Sequence, residues 1–255
     1  MIPAHLRPYV VRQNYDHYTP INQATWRYVM RQFHAYFEDK AHPTYYNGLR
    51  SSGITVDAIP DIDEMNACMA RYGWQAVVVD GLVPTAVFMD FQAHRILPIS
   101  VDIRTLDHLG YTPAPDIIHE TAGHAPILID PDYSAFIERF GEIGARAFSS
   151  KADHRVYEAT KHLSVVKEDP HATPAMIAEA ESALTAAKEA ATEPSEETLA
   201  GRLYWWTVEY GMIGSLEAPK LYGAGLLSSV SESQLCLTDR IKKLPFDLEA
   251  CINTS

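Results

Sequence analysis

Cysteine is scarce in this chain and poorly placed for cysteine chemistry. Cys68, Cys236 and Cys251 are odd in number, far apart and without a Cys-x-x-Cys. That argues against a disulfide framework or a thiolate zinc site, and for a reducing, cytoplasmic compartment. Long apolar runs are missing too: nothing approaches the roughly 18 uninterrupted apolar residues of a membrane span. Met1–Val11 is broken by Pro3, Arg7 and Pro8 and offers no signal-peptide core. Positive charge is in short supply. The 21 Lys and Arg against 33 Asp and Glu leave a net charge of −12, and the longest basic cluster is Arg240-Ile241-Lys242-Lys243. A phosphate backbone would be repelled, which excludes nucleic acid as the expected partner. There is no internal repeat and no low-complexity linker. The 47% hydrophobic content is enough for a sizeable core within one domain of 255 residues.

What is present organises itself by period. Trp26, Val29, Met30, Phe33 and Phe37 recur at helical spacing, and a second helix is expected to start near Asp61, with Met65, Met69 and Tyr72 on one face. Gln75–Val79, Thr85–Phe91 and Arg95–Val101 read as short strands bounded by Gly81, Pro84 and Pro98. From Pro113 the pattern is helical again, and Asp130-Pro131 is a cap followed by proline, with Phe136, Ile137, Phe140, Ile143 and Ala147 on one face. The expected class is α+β, mainly helical. Residues 150–198 differ: Thr173-Pro174 opens an Ala/Glu/Lys-rich helix to about Ala191, punctuated by Pro170 and Pro194. They read as a helical insertion on the surface without chemistry of its own.

The chemistry concentrates in Pro115-Asp116-Ile117-Ile118-His119-Glu120-Thr121-Ala122-Gly123-His124-Ala125-Pro126. Two histidines and a carboxylate on a short helix suit a divalent metal. Zinc hydrolases space the pair at i and i+4, about 40° apart around a helix, whereas i+5 puts them roughly 140° apart. These two converge only if the helix distorts, for which Gly123 and the Ala125-Pro126 stop offer the place. Two of eleven histidines bonded to backbone carbonyls would look the same in sequence. In Tyr204-Trp205-Trp206-Thr207-Val208-Glu209-Tyr210-Gly211, the residues Leu199, Leu203, Trp206, Tyr210 and Ile213 form the expected core stripe. Glu209 then lies at its flank, beside Arg202 and Trp205. Two histidines and one carboxylate are the facial triad of non-haem Fe(II) oxygenases, and Glu209 is the candidate third member.

At this level of detail the sequence resembles the pterin-dependent aromatic amino acid hydroxylases. The resemblance rests on Tyr111–His124, on Tyr204–Gly211, and on Tyr222-Gly223-Ala224-Gly225-Leu226-Leu227-Ser228-Ser229 followed by Glu232, in that order. It implies a catalytic core spanning residues 1–255, with Fe(II) and a tetrahydropterin as cofactors and dioxygen as co-substrate. His119, His124 and Glu209 would hold the iron. Arg104, assisted by Thr112, would grip the α-carboxylate of a free aromatic amino acid. Phe88 would stack on the pterin, with Val83 offering backbone contacts and Glu120 facing the pterin side. Pro115 and Trp205 would line the ring pocket, while Ser228 and Glu232 would orient a ligand histidine and the substrate. Ala114 stands where the family usually has glutamate, and Pro98 replaces a histidine near the pterin site. Trp205 favours a phenylalanine-type substrate, whereas Ser231 and Tyr210 lean towards the tryptophan branch. The expectation is L-phenylalanine to L-tyrosine, by a monomer or weak dimer. A zinc hydrolase and a catalytically silent scaffold of the same fold are the competing readings.

Overall fold

The computed structural model describes residues 1–110, 112, 114–169 and 171–253. Tyr111 and Pro113 of the histidine motif, and Pro170 of the insertion, lie outside the described residues.

Strand β1 (Val10–Val11) comes first, followed by α1 (Pro20–Phe37). Thr19 accepts from the Asn22 amide at 3.2 Å while the Asn22 side chain accepts from Thr19, and Pro20 occupies the first turn. Trp26, Val29, Met30, Phe33 and Phe37 are all buried, as their spacing requires. After α2 (Thr44–Ser51), Asp61 caps α3 (Ile62–Met69) by accepting from the amides of Asp63 and Glu64. Met65 and Met69 are buried, and Tyr72 packs half-buried against the same core.

Strand β2 (Gln75–Val79) pairs antiparallel with β1 and parallel with β3 (Ile96–Ser100). Parallel neighbours cannot be joined by a tight turn. The crossover is α4 (Thr85–Ala93), so the strand expected over Thr85–Phe91 is instead a helix. Its apolar run is short and nearly continuous, which periodicity cannot assign between the two states. Pro98 fits because β3 is an edge strand.

Asp130 caps α5 (Pro131–Gly144), accepting from the amides of Asp132 and Tyr133. This helix meets α4 backbone to backbone. A Cβ on Gly141 would lie 2.6 Å from the Met89 carbonyl oxygen, so only glycine permits the approach. That contact turns Tyr133, Ile137, Phe140, Gly141 and Gly144 inward. Phe136 and Ile143, expected on the core face, are exposed, and Ala147 lies beyond the helix.

Next, α6 (Lys151–Glu168) and α7 (Pro174–Ala190) form a helical arm, capped by Ser150 and Thr173. Val166 and Ala180 are its only buried positions among the described residues. The chain returns through α8 (Glu196–Tyr204), the hairpin of β4 (Met212–Gly214) and β5 (Pro219–Leu221), α9 (Ala224–Leu227), α10 (Val230–Cys236) and α11 (Leu248–Asn253). One contiguous buried cluster runs from Trp26 to Cys236 and includes Ile117, Ile118, Ala122 and Val208, which flank the candidate ligands. Among the described residues no helix is long and apolar enough to cross a membrane.

Candidate metal and substrate site

Asp116 starts the histidine helix by accepting from the His119 amide at 2.9 Å, the ordinary cap geometry. The helix then widens into a π turn over His119–His124. An i→i+5 turn accommodates one more residue than an α turn, so side chains five apart fall on one side. The two rings stand 4.9 Å apart, nearly perpendicular, with their Nε2 atoms 3.2 Å from each other. The distortion needed by the five-residue spacing therefore lies between the histidines and not at the proline stop. Gly123 serves another purpose: a Cβ there would lie 2.6 Å from the Ala224 carbonyl oxygen, so glycine lets α9 approach.

A second π turn, Trp205–Glu209, follows α8, with the Tyr210 amide bonded to the Trp205 carbonyl at 2.9 Å. This shifts the inward face. Tyr204, Val208 and Glu209 are buried, whereas Trp206 and Tyr210 are half-buried and Ile213 is exposed, correcting the stripe expected from α-helical spacing. Glu209 Oε1 lies 3.1 Å from His124 Nε2, and Oε2 lies 3.5 Å from His119 Nε2. Bonds of about 2.1 Å at right angles would separate ligand atoms by about 3.0 Å, so the three atoms fit one face of a metal's coordination sphere. Burial opposes ionisation of Glu209, yet the two histidines outweigh it and hold the carboxyl below its usual range. Glu120 belongs to the same cluster, but its nearer oxygen stands 3.9 Å from His124 Nε2. That Oε2 is buried without a hydrogen-bond partner, and burial first, then Glu209 and Asp116, push the carboxyl up to about 8 despite His124. Glu209 is thus the better-placed third ligand.

The ring orientation of His119 is set from behind. The Ser228 hydroxyl donates its single proton to the Ala224 carbonyl at 2.7 Å, so it can only accept from His119 Nδ1, 2.8 Å away. Nδ1 is thereby held as the donor, which with a metal bound would leave Nε2 as the ligand atom. Ser228→Ala is expected to weaken metal affinity about 10- to 100-fold in a chelator competition. Unchanged affinity would mean that the hydroxyl does not fix the tautomer.

Arg104 is fully buried and its fork is already engaged. Nε and Nη2 each donate to Asp116 at 2.8 Å, and Nη1 donates to the Ser228 carbonyl at 2.9 Å. Asp116 also accepts from the Arg104 amide. Three of the five guanidinium N–H groups are spent within the protein, which leaves one on Nη1 and one on Nη2 for the expected bidentate grip on a substrate carboxylate. Burial disfavours the Asp116 charge, but Arg104 and the backbone bonds more than compensate, keeping its carboxyl low.

The other expected residues distribute unevenly. Phe88 is half-buried on α4, edge-on to the Tyr204 ring at 6.1 Å. Val83 packs beside the Leu6, Val77 and Phe91 cluster, in a loop where Gly81 (φ +62°) borders open space. A half-buried ring beside an open backbone loop fits a flat heterocycle. Thr112 bonds its own loop through the Ala114 carbonyl. Pro115 is exposed and Trp205 is 55% exposed, lying against Tyr210, so neither is enclosed as a pocket wall. The π turn that carries Glu209 inward leaves Trp205 outside. Glu232 does not join the histidines but borders a separate cleft of about 900 Å³ with Tyr133, Trp206 and Tyr210.

Two buried residues were left unassigned by the sequence reading. Asp116 gave a usable signal, an Asp after Pro115 at the start of a helix. Tyr204 gave none: its hydroxyl accepts from Gln92 Nε2 at 2.7 Å, and its ring stands 6.5 Å from His124, contacts made only by the fold.

The comparisons with known proteins agree with this geometry. Residues 13–172 and 175–255 match the family model of the biopterin-dependent aromatic amino acid hydroxylases. A phenylalanine-4-hydroxylase of Chromobacterium violaceum is 29% identical over 248 residues, covering 96% of this chain and 69% of the relative. That of Ralstonia nicotianae is 30% identical over 252 residues, covering 98% of this chain and 66% of its own length. The chain thus spans about two thirds of these relatives. The C. violaceum enzyme with bound Fe(III) superposes with a TM-score of 0.74 at 26% identity, covering 100% of this chain and 81% of that one. Its structure with Fe(III) and 7,8-dihydrobiopterin gives a TM-score of 0.72, again at 26% identity, covering 100% of this chain and 82% of that one. The i+5 histidines, the convergent Glu209 and the matched family model displace the zinc-hydrolase reading, and the chain belongs to the biopterin-dependent aromatic amino acid hydroxylases.

Proposed function

We propose that this protein hydroxylates the ring of free L-phenylalanine to give L-tyrosine, using Fe(II), a tetrahydropterin and dioxygen. The observation that carries this reading is the convergence of His119 Nε2, His124 Nε2 and Glu209 on one point, with Ser228 fixing the His119 tautomer. Two imidazoles and one carboxylate on one face leave the opposite face open, the donor set of oxygen-activating Fe(II). When bound, iron and reduced pterin supply the oxygen activation and the electrons. The chain's own residues position. Arg104, braced by Asp116, keeps one N–H on Nη1 and one on Nη2 for the substrate carboxylate, and the same Asp116 holds the His119 backbone. Anchor and metal ligand are thereby set at a fixed spacing, which is what a ring reaction at a metal needs. Phe88 and the Val83 backbone serve the pterin, with Glu120 on its side of the metal.

We read residues 1–255 as one catalytic unit, because the core cluster surrounds the ligands from both halves of the chain. The three free thiols suit a reducing, cytoplasmic setting, and the expected form is a monomer or weak dimer.

The test is turnover with Fe(II), tetrahydrobiopterin and each of phenylalanine, tyrosine and tryptophan. The expected result is the highest kcat/KM for L-phenylalanine, as the names of the bacterial relatives favour. Apolar pockets separate such rings by only about 1–3 kcal/mol, so side activity on the others is expected. A tenfold preference for tryptophan would make Ser231 and Tyr210 the better guides. No turnover by iron-loaded protein would leave a silent scaffold of the family.

A further inference from the structure

The α6–α7 arm adds little to the core, yet its base and one face are fixed to the body. At the base, Asp153 accepts from the Ser150 amide at 2.6 Å and from the Thr198 hydroxyl at 2.7 Å. Burial pushes its carboxyl up, but these bonds prevail and bring it down to about 2. Glu196 accepts from the Phe148 amide at 3.0 Å, closing the other side of the base. Further along α6, Tyr157 reaches across to the body, and its hydroxyl donates to the Leu82 carbonyl at 3.0 Å.

Leu82 sits in the loop that leaves β2 and enters α4. Gly81 turns this loop with φ +62°, and Pro84 opens the helix. One side of the loop is held by apolar packing, where Val83 meets the cluster of Leu6, Val77 and Phe91. The Tyr157 bond holds it from the arm. Phe88 follows in the first turns of α4, so the position of the loop decides where both the Val83 backbone and the Phe88 ring stand.

We propose that the arm is a clamp for the pterin-binding loop and that Tyr157 is its positioning residue. The inference rests on the reading that Val83 and Phe88 hold the pterin. It revises the expectation that the insertion is chemically idle: the arm contributes no reacting group, but it orders one that binds the cofactor. A loop bordering open space must otherwise be ordered when the ligand arrives, at a cost in conformational entropy. One hydrogen bond made beforehand removes part of that cost, corresponding to about three- to ten-fold in affinity.

Tyr157→Phe keeps the ring and deletes the donor. In the iron-loaded protein, 7,8-dihydrobiopterin binding is measured by titration calorimetry, beside the KM values for tetrahydrobiopterin and L-phenylalanine, with Phe88→Ala in parallel. The expected result is a three- to ten-fold rise in the pterin Kd and KM. The iron content, the phenylalanine KM and kcat at saturating pterin stay at wild-type values. Amide exchange over residues 81–87 in the pterin-free variant is expected to be faster, a readout independent of turnover. Unchanged pterin affinity in Tyr157→Phe, with weakened affinity in Phe88→Ala, overturns the clamp and leaves the Phe88 assignment standing. Unchanged affinity in both overturns both. A parallel rise in the two KM values marks a general loss of structure and also overturns the clamp.

Discussion

Glu209→Ala is expected to leave the protein folded, without tightly held iron and without hydroxylase activity. Glu209 supplies the carboxylate that spans both histidines, at 3.1 and 3.5 Å. Its removal leaves two imidazoles and, among the described residues, no carboxylate within bonding distance of both. Glu120, 3.9 Å from His124 alone, is not placed to replace it. Loss of a mere hydrogen-bonding partner of a ligand costs about 10- to 100-fold in affinity or activity, and loss of the ligand itself should exceed that. Glu209→Gln separates charge from shape: an isosteric amide that still lost the metal would assign the effect to the anionic oxygen. Metal analysis per chain, with circular dichroism as the fold control, decides. One iron per chain and full turnover in Glu209→Ala would end the triad assignment.

Asp116→Ala should be the most destabilising single change at the site. It strips a fully buried guanidinium of its counter-ion and removes the cap from the His119 amide. Breaking a buried pair by deleting one partner costs about 3–5 kcal/mol, a large share of the about 5–15 kcal/mol that holds a domain folded. Denaturant unfolding of the metal-free protein measures it. The double change Arg104→Met with Asp116→Leu should recover much of the loss, because paired apolar replacements of buried ions are often neutral. Activity should not return with it, since no cation then faces the substrate carboxylate. Wild-type stability in Asp116→Ala would show that Arg104 finds its compensation elsewhere.

Capped helices were legible in the sequence because their signals are local. Asp61, Asp130-Pro131 and Thr173-Pro174 each start a helix where read. Thr85–Phe91 was misread because an apolar segment shorter than three turns carries no decisive period, and only the parallel pairing of β2 with β3 makes a helix necessary there. At the candidate site, the donor types and their order were readable, but the faces they occupy were not. Periods of 3.6 place Trp206 inside and Glu209 at the flank, and a π turn moves both. The bracing of Arg104 by Asp116 was not readable, because the two stand twelve residues apart in sequence. Sequence spacing offered no measure of how strongly that neighbour would claim the guanidinium.

The two π turns have a consequence for how such a site can arise and be lost. Each is an α-helix that has absorbed a single extra residue, so each marks a place where an insertion of one codon is accommodated without moving the flanking elements. Deleting one residue between His119 and His124 would restore the four-residue spacing of the zinc hydrolases. Deleting one in Trp205–Glu209 would swing the carboxylate around the helix by about 100°. In mutational distance, then, this donor set lies one indel per helix from a different one. Either change would alter which donors face one point, and with them the ion the helices suit.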